Sequence, residues 1–310
     1  MSHVFGPVPS RRLGRSLGVD LVPYKTCSYD CIYCQLGRTT EKTIERRPWV
    51  SPEAVLDELK PKLALKPDYI TLSGSGEPTL CTRLGELIEA IKALTDTPVA
   101  VLTNGSLLSQ KPVRDEIAGA DLVIPSLDAG DAKMFAAVNR PHAGVAFEAM
   151  VEGLVLMREE CAGRFWLEVF ILGGYTADAK EVGKINAYVR RIKPGKVQLN
   201  TVTRPAAESF AFGAEPARLN ELAQLFEPKA EVIADFRGVH GREEFTSTRD
   251  AVLTLLQRRP CNLIDITEGL GIHRNEALKY IEELLAQRRI ETVRSGNRIF
   301  YRATAPGAGV

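Results

Sequence analysis

Between residues 16 and 202 one arrangement recurs six times: a short apolar run, a polar or glycine-bearing loop, then a stretch patterned as helix. The runs are "SLGVDLV", "DYITLSG", "PVAVLTN", "DLVIPSLDA", "RFWLEVFILGG" and "KVQLNTV". Strands that alternate with helices pair in parallel through right-handed crossovers, and few folds accept six such units. The pattern predicts an α/β chain, a partial (β/α)6 TIM-like barrel. In such barrels the chemistry sits in loops leaving the C-terminal ends of the strands. The loops of note here all follow strands: "SGSGEPT", "TNGS", "SLDA", "LGGYT", "NTVTRP" and a loop of cysteines.

Past residue 235 the grammar changes. "DFRGVHGREEF" is polar and aperiodic, the mark of a linker over 236–245. Beyond it stand three amphipathic stretches and then "IETVRSGNRIFYRA", two β-rich runs about a Ser-Gly-Asn turn. Three helices and a hairpin predict a small α+β winged helix-turn-helix domain over 246–303, with a flexible tail at 304–310. The barrel domain is thereby expected over 1–235.

Composition narrows the function classes. A net charge of +1 points the whole chain toward neither nucleic acid nor a lipid surface. The N-terminus has no apolar core of a signal peptide, and no run of about 18 apolar residues occurs, so no membrane is expected. Six cysteines in 310 residues are too few for a disulfide scaffold, and a cytoplasmic, reducing setting is the expectation.

Three of those cysteines, Cys27, Cys31 and Cys34, fall within "KTCSYDCIYCQ". Buried small side chains are a poor account of a loop that also holds Lys25, Ser28 and Asp30. Structural zinc normally takes four ligands, and only His3 is at hand as a fourth. Iron–sulfur ligation fits best, because thiolates hold such clusters and three of them leave one iron of a [4Fe–4S] cube open. The other cysteines, Cys81, Cys161 and Cys261, lie far apart and read as buried small residues.

C-x3-C-x-aromatic-C, with Tyr33 before Cys34, resembles the signature of the radical S-adenosylmethionine (SAM) enzymes. The resemblance extends over roughly residues 15 to 235. It implies a [4Fe–4S] cluster on Cys27, Cys31 and Cys34 whose open iron chelates SAM. It implies reductive cleavage of SAM to a 5′-deoxyadenosyl radical that abstracts hydrogen from a substrate. Gly76 and Glu77, in Gly-Ser-Gly-Glu after the second strand, match the family's Gly-Gly-Glu and so should meet the methionine amino group of SAM. Ser126 and Asp128 stand where the family faces the ribose. Ile171, Leu172 and Gly173 fall in the adenine-contacting segment, and Asn200 on the sixth strand joins them. An external electron donor such as flavodoxin or ferredoxin follows from the same chemistry. The opening "FGPVPSRRLGRSLGVDLVPYKTCSYDCIYCQLGR" resembles uncharacterised Fe–S oxidoreductases grouped with wybutosine-synthesis enzymes.

Substrate choice is less legible. The first 50 residues hold eight Lys or Arg against four Asp or Glu, with Arg11, Arg12, Arg15, Arg38, Arg46 and Arg47 about the cysteines. Such a cluster either receives an anion or is a solvated surface. Arg140 and Arg204, each before a proline, either face the barrel mouth or pair with loop carboxylates. Residues 246–303 carry ten basic and seven acidic residues, with Arg274, Lys279, Arg294, Arg298 and Arg302 suited to phosphates. The reading favoured is an enzyme on an RNA or peptide substrate recruited by the C-terminal domain. The alternatives are an iron–sulfur redox sensor that binds DNA, and a radical SAM enzyme on a small metabolite whose winged helix dimerises.

Overall fold

A computed structural model describes residues 3–10, 12–234, 249–272 and 274–304. The linker expected at 236–245 lies outside the described residues, as does most of the tail. The strands are β1 (Val4–Ser10), β2 (Gly14–Asp20), β3 (Thr26–Cys27), β4 (Glu41–Lys42), β5 (Tyr69–Ser73), β6 (Val99–Thr103), β7 (Leu122–Pro125), β8 (Arg164–Ile171), β9 (Lys196–Thr201), β10 (Glu231–Val232), β11 (Ile290–Ser295) and β12 (Arg298–Ala303). The helices are α1 (Pro52–Leu59), α2 (Leu84–Leu94), α3 (Lys111–Ile117), α4 (Ala132–Val138), α5 (Phe147–Glu160), α6 (Ala179–Ile192), α7 (Pro216–Ala223), α8 (Arg249–Arg258), α9 (Leu263–Leu270) and α10 (Arg274–Ala286).

The six apolar runs form β2, β5, β6, β7, β8 and β9, adjacent and parallel in one sheet. β10 extends it in parallel beside β9, and β1 lies antiparallel on the other edge, against β2. The result is an α/β fold on a mostly parallel, open sheet. β1 was not legible as a strand, since "VFGPVPS" carries two prolines. Proline is tolerated at a sheet edge, where β1 lies, and its register shifts between Phe5 and Val8.

Strand parity then divides the molecule into an apolar shell and a polar chamber. Leu17 and Val19, Ile70 and Leu72, Val99 and Val101, Val123, Leu167 and Val169, Val197 and Leu199 join one large core with the helices. The alternate positions face inward. At one end of the interior they are apolar: Leu13, Ala100, Leu122 and Ile124 pack there with Tyr69 and Trp166. Toward the C-terminal ends of the strands they are Ser16, Thr71, Ser73, Glu168 and Asn200, and these line a cavity. The apolar layer closes the barrel floor, and the polar layer leaves room for a ligand.

Local capping fixes the helices between strands. Ser51 accepts from the Ala54 N–H at 3.3 Å to start α1, and Asp178 accepts from Lys180 and Glu181 to start α6. Asn262 and Asp265 form a reciprocal capping box on α9, which ends at Gly271 with φ of +63°.

α8, α9 and α10, followed by the antiparallel hairpin of β11 and β12, build a second small core from Val252, Leu256, Ile266, Ala277, Ile281 and Ile290. Val8 of the edge strand packs against that core. Two buried ion pairs cross the same junction: Arg204 with Asp265 at 3.2 Å, and Arg258 with Asp20. No helix among the described residues is long and apolar enough to cross a membrane.

Candidate active site

All three clustered cysteines line one cavity of about 440 Å³, together with inward side chains of the sheet and residues of α8. The loop that carries them is held from both sides. Tyr29 and Ile32 are buried in the large core, with the Tyr29 ring edge-on to Phe135 at 5.2 Å. The Ile32 N–H donates to Val138 O, and Asp30 accepts from the Thr39 N–H at 2.8 Å.

The glycine loop after β5 docks directly on the cysteine loop. The Lys25 N–H donates to Ser75 O at 2.6 Å, and the Glu77 N–H donates to Thr26 O at 3.1 Å. Gly76 permits this approach, because a Cβ there would stand 1.8 Å from the Thr26 carbonyl oxygen. Gly74 has φ of +103°, and a Cβ on it would meet the Asp20 carboxylate at 1.9 Å. Packing requires glycine at both positions, and at Gly74 the backbone conformation does so as well.

Glu77 is 2% exposed and turned away from the cavity wall. Its Oε1 accepts from the Thr79 N–H and from the hydroxyls of Thr79 and Thr103, and its Oε2 accepts from the Asn104 N–H at 2.7 Å. Burial raises its pKa, and these four donors oppose the rise. The structure thus gives the carboxylate a bracing role between β5 and β6, while the backbone of Gly74, Ser75 and Gly76 faces the cavity.

Asp128 and Ser126 both line the cavity. Asp128 is 3% exposed, accepts from the Tyr33 hydroxyl, from Asn139 Nδ2 at 2.8 Å and from the Phe170 N–H at 2.9 Å. Burial pushes its pKa up to about 6 against those donors, and the like charge of Glu168 adds to the rise. Tyr33 is further fixed by stacking on Phe170, centroids 4.0 Å apart and planes within 12°. Asn200 reaches the cavity and donates to Glu168 at 2.8 Å, while Glu168 also pairs with Arg12 at 2.7 Å.

Ile171 and Leu172 are fully buried in the outer core and do not line the cavity. Parity explains Ile171, since on β8 the inward residues are Glu168 and Phe170; Leu172 lies just past the end of the strand, where its N–H donates to Thr176 Oγ1 at 2.9 Å. Gly173 backs onto Phe212, to which its N–H donates. The arginines about the cysteines are mostly spoken for: Arg46 by Glu116, Arg47 by Glu45, Arg38 and Arg140 by Glu208. Arg11 lies outside the described residues.

The thiols themselves suit an iron–sulfur cluster. Asn104 Nδ2 lies 3.5 Å from Cys27 Sγ and Asn139 Nδ2 lies 3.6 Å from Cys31 Sγ, while backbone N–H groups of Leu36 and Gly37 point to Cys34. Such donors stabilise metal-bound thiolates. Without a cation, burial pushes Cys27 up to about 12 and also raises Cys31 and Cys34. Tyr29 is among the residues that line the same cavity, and its buried hydroxyl has, among the described residues, no hydrogen-bond partner. A buried hydroxyl left so costs about 1–3 kcal/mol, a sign that a bound group completes it. The sequence did not single out Tyr29, Asn104, Asn139 or Glu168; only "TNGS" was flagged, as a loop.

Known proteins share this plan. The model of the radical SAM superfamily matches residues 21–201, from the strand before the cysteines to the end of β9. A UPF0026 protein of Helicobacter pylori is 34% identical over 307 residues, 96% of each chain. A protein of Brachyspira hyodysenteriae described as GTPase Obg is 39% identical over 288 residues, and the chain spans 42% of that relative's length. A radical SAM methyltransferase from Sphaerobacter thermophilus superposes with a TM-score of 0.52 at 17% identity, over 72% of this chain and 67% of the other, a likeness of fold. Cysteine spacing, strand order and the matched span agree: this chain belongs to the radical SAM superfamily and is a radical SAM enzyme.

Proposed function

We propose that the chain holds a [4Fe–4S] cluster on Cys27, Cys31 and Cys34, binds SAM beside it, and abstracts hydrogen from a substrate admitted to the same cavity. The observation that carries the reading is convergence. Three amide-supported thiols, the Gly74–Gly76 backbone and the Tyr33–Asp128 pair line one chamber at the C-terminal ends of the strands. When bound, the cluster supplies the electron that cleaves SAM to a 5′-deoxyadenosyl radical.

The residues of the chain bind, orient and exclude water. Asn104 and Asn139 orient the thiols, while Gly74–Gly76 offer backbone polar groups to the methionine end of SAM. Asp128 and Ser126 offer oxygens to its ribose. The apolar layer below the cavity and α8 beside it keep bulk water from the reacting centre. A small ferredoxin- or flavodoxin-like protein supplies electrons, in a cytoplasmic setting.

The C-terminal helices and hairpin recruit the substrate as a winged helix-turn-helix, RNA before peptide. Exposed Arg274, Lys279, Arg294 and Arg298 on α10 and the hairpin support this reading. The test is anaerobic reconstitution with iron and sulfide, followed by reductant and SAM and an assay for 5′-deoxyadenosine. Product is expected from the native chain and none above background from Cys31→Ala. A well-formed cluster that fails to bind SAM defeats the proposal.

A further inference from the structure

The cavity wall carries five cationic side chains: Arg12, Lys25, Arg204, Arg258 and Arg259. Three of them have carboxylate partners, Glu168 for Arg12, Asp265 for Arg204 and Asp20 for Arg258. Arg258 also donates to Ser75 Oγ at 2.9 Å, inside the glycine loop, and its guanidinium lies 4.8 Å from the centre of the Phe5 ring. These three are structural: Arg12 ties the β1–β2 turn to β8, Arg204 ties the loop after β9 to α9, and Arg258 ties α8 to β2 and the glycine loop.

Lys25 and Arg259 differ. Among the described residues neither has a carboxylate within ion-pair distance, yet both line the cavity and both are half-buried. Lys25 stands two residues before Cys27, at the cysteine end of the chamber. Arg259 follows α8 and sits near buried Arg204, whose pKa is depressed to about 10, first by burial and then by Arg259. Asp265 pairs with Arg204 through one oxygen and caps α9 through the other, so it does not serve Arg259. Positive charge is thus left over on the wall of the chamber, where a ligand offsets it.

We propose that the substrate reaching the cysteine loop carries an oxyanion, phosphate or carboxylate, and that Arg259 seats it with Lys25 nearer the cysteines. Arg259 presents a planar fork that matches either oxyanion in a bidentate manner. The C-terminal unit is on this account a wall of the substrate chamber that supplies a specificity-determining residue. The inference rests on the functional reading above and adds the charge class of its substrate.

The test uses the reconstituted holoprotein, titrated calorimetrically with inorganic phosphate and separately with acetate, each with and without saturating SAM. Saturable binding of at least one is expected in both conditions, and the preferred probe identifies the source of the oxyanion. Arg259→Gln should raise the dissociation constant about tenfold or more, and Arg259→Lys, which keeps charge but loses the fork, by less. Lys25→Gln serves as a second variant, exposed Lys133→Gln as a charge control, and thermal unfolding reports the folding of each. No binding by the native protein, or native-like binding by Arg259→Gln, overturns the seat. A loss of SAM affinity in Arg259→Gln with phosphate binding unchanged also overturns it, since Arg259 would then serve the SAM carboxylate. Failure of SAM to bind the native protein brings down the functional reading, while the titration without SAM still judges the seat.

Discussion

Asp128 is a carboxylate whose protonation the fold controls, chiefly through burial. An aspartate in an unfolded chain titrates near about 3.9, and burial holds Asp128 at about 6. A raised pKa means the folded state grips the proton more tightly. Its contribution to stability is therefore complete below about pH 4 and lost as pH rises through about 6. Over that window the iron-free protein should lose roughly 3 kcal/mol that Asp128→Asn, always neutral, does not lose. Denaturant midpoints measured from pH 3 to 7.5 check this, and parallel slopes for the two proteins would refute it. At this scale the sequence was legible where a motif brings residues to one place, as with the three cysteines that line one cavity. It was silent on a side chain's direction. The Glu77 carboxylate is engaged with Thr79, Thr103 and Asn104, and Ile171 alternates outward on β8. Neither fact is written in residue type.

Among elements, the docking of the glycine loop on the cysteine loop is the least tolerant. Gly76→Ala sets a methyl group against the Thr26 carbonyl, which is main chain and has no rotamer by which to withdraw. Overpacking typically costs about 1–3 kcal/mol, and here the cysteine loop itself must move. We expect a lower unfolding midpoint in the iron-free protein and fewer irons retained per chain after reconstitution. Full iron retention with native stability would show that the loops slide without penalty. The six parallel strands were legible because each is a short apolar run closed by a glycine or polar loop. β1 was not, because Pro7 and Pro9 speak against a strand and only its edge position reconciles them. The short α4 and α7, each of eight residues or fewer, carry too little periodicity to stand out.

On the scale of the whole molecule, the charged seam decides how the C-terminal helices sit on the sheet. Arg204 and Asp265 are 4% and 6% exposed, and removing one member of such a pair costs about 3–5 kcal/mol. Asp265→Asn keeps an oxygen for the capping box and removes the charge. It should lower global stability by about 3 kcal/mol, and Arg204→Met added to it should restore most of the loss. If the double variant is no better than the single, the pair is not what couples the two cores. Sequence periodicity showed three helices and a hairpin but not where they lodge, since that depends on Arg204, Asp265, Arg258 and Asp20 meeting across long separations.

That lodging has a consequence for the order of assembly. The cysteines precede α8, which covers one side of their chamber, by more than 200 residues. Until α8 is lodged, the chamber stands open toward the cysteines on that side. Once Arg258 meets Asp20 the same approach is narrowed. Access to the thiols from that side therefore closes with the docking of the C-terminal helices.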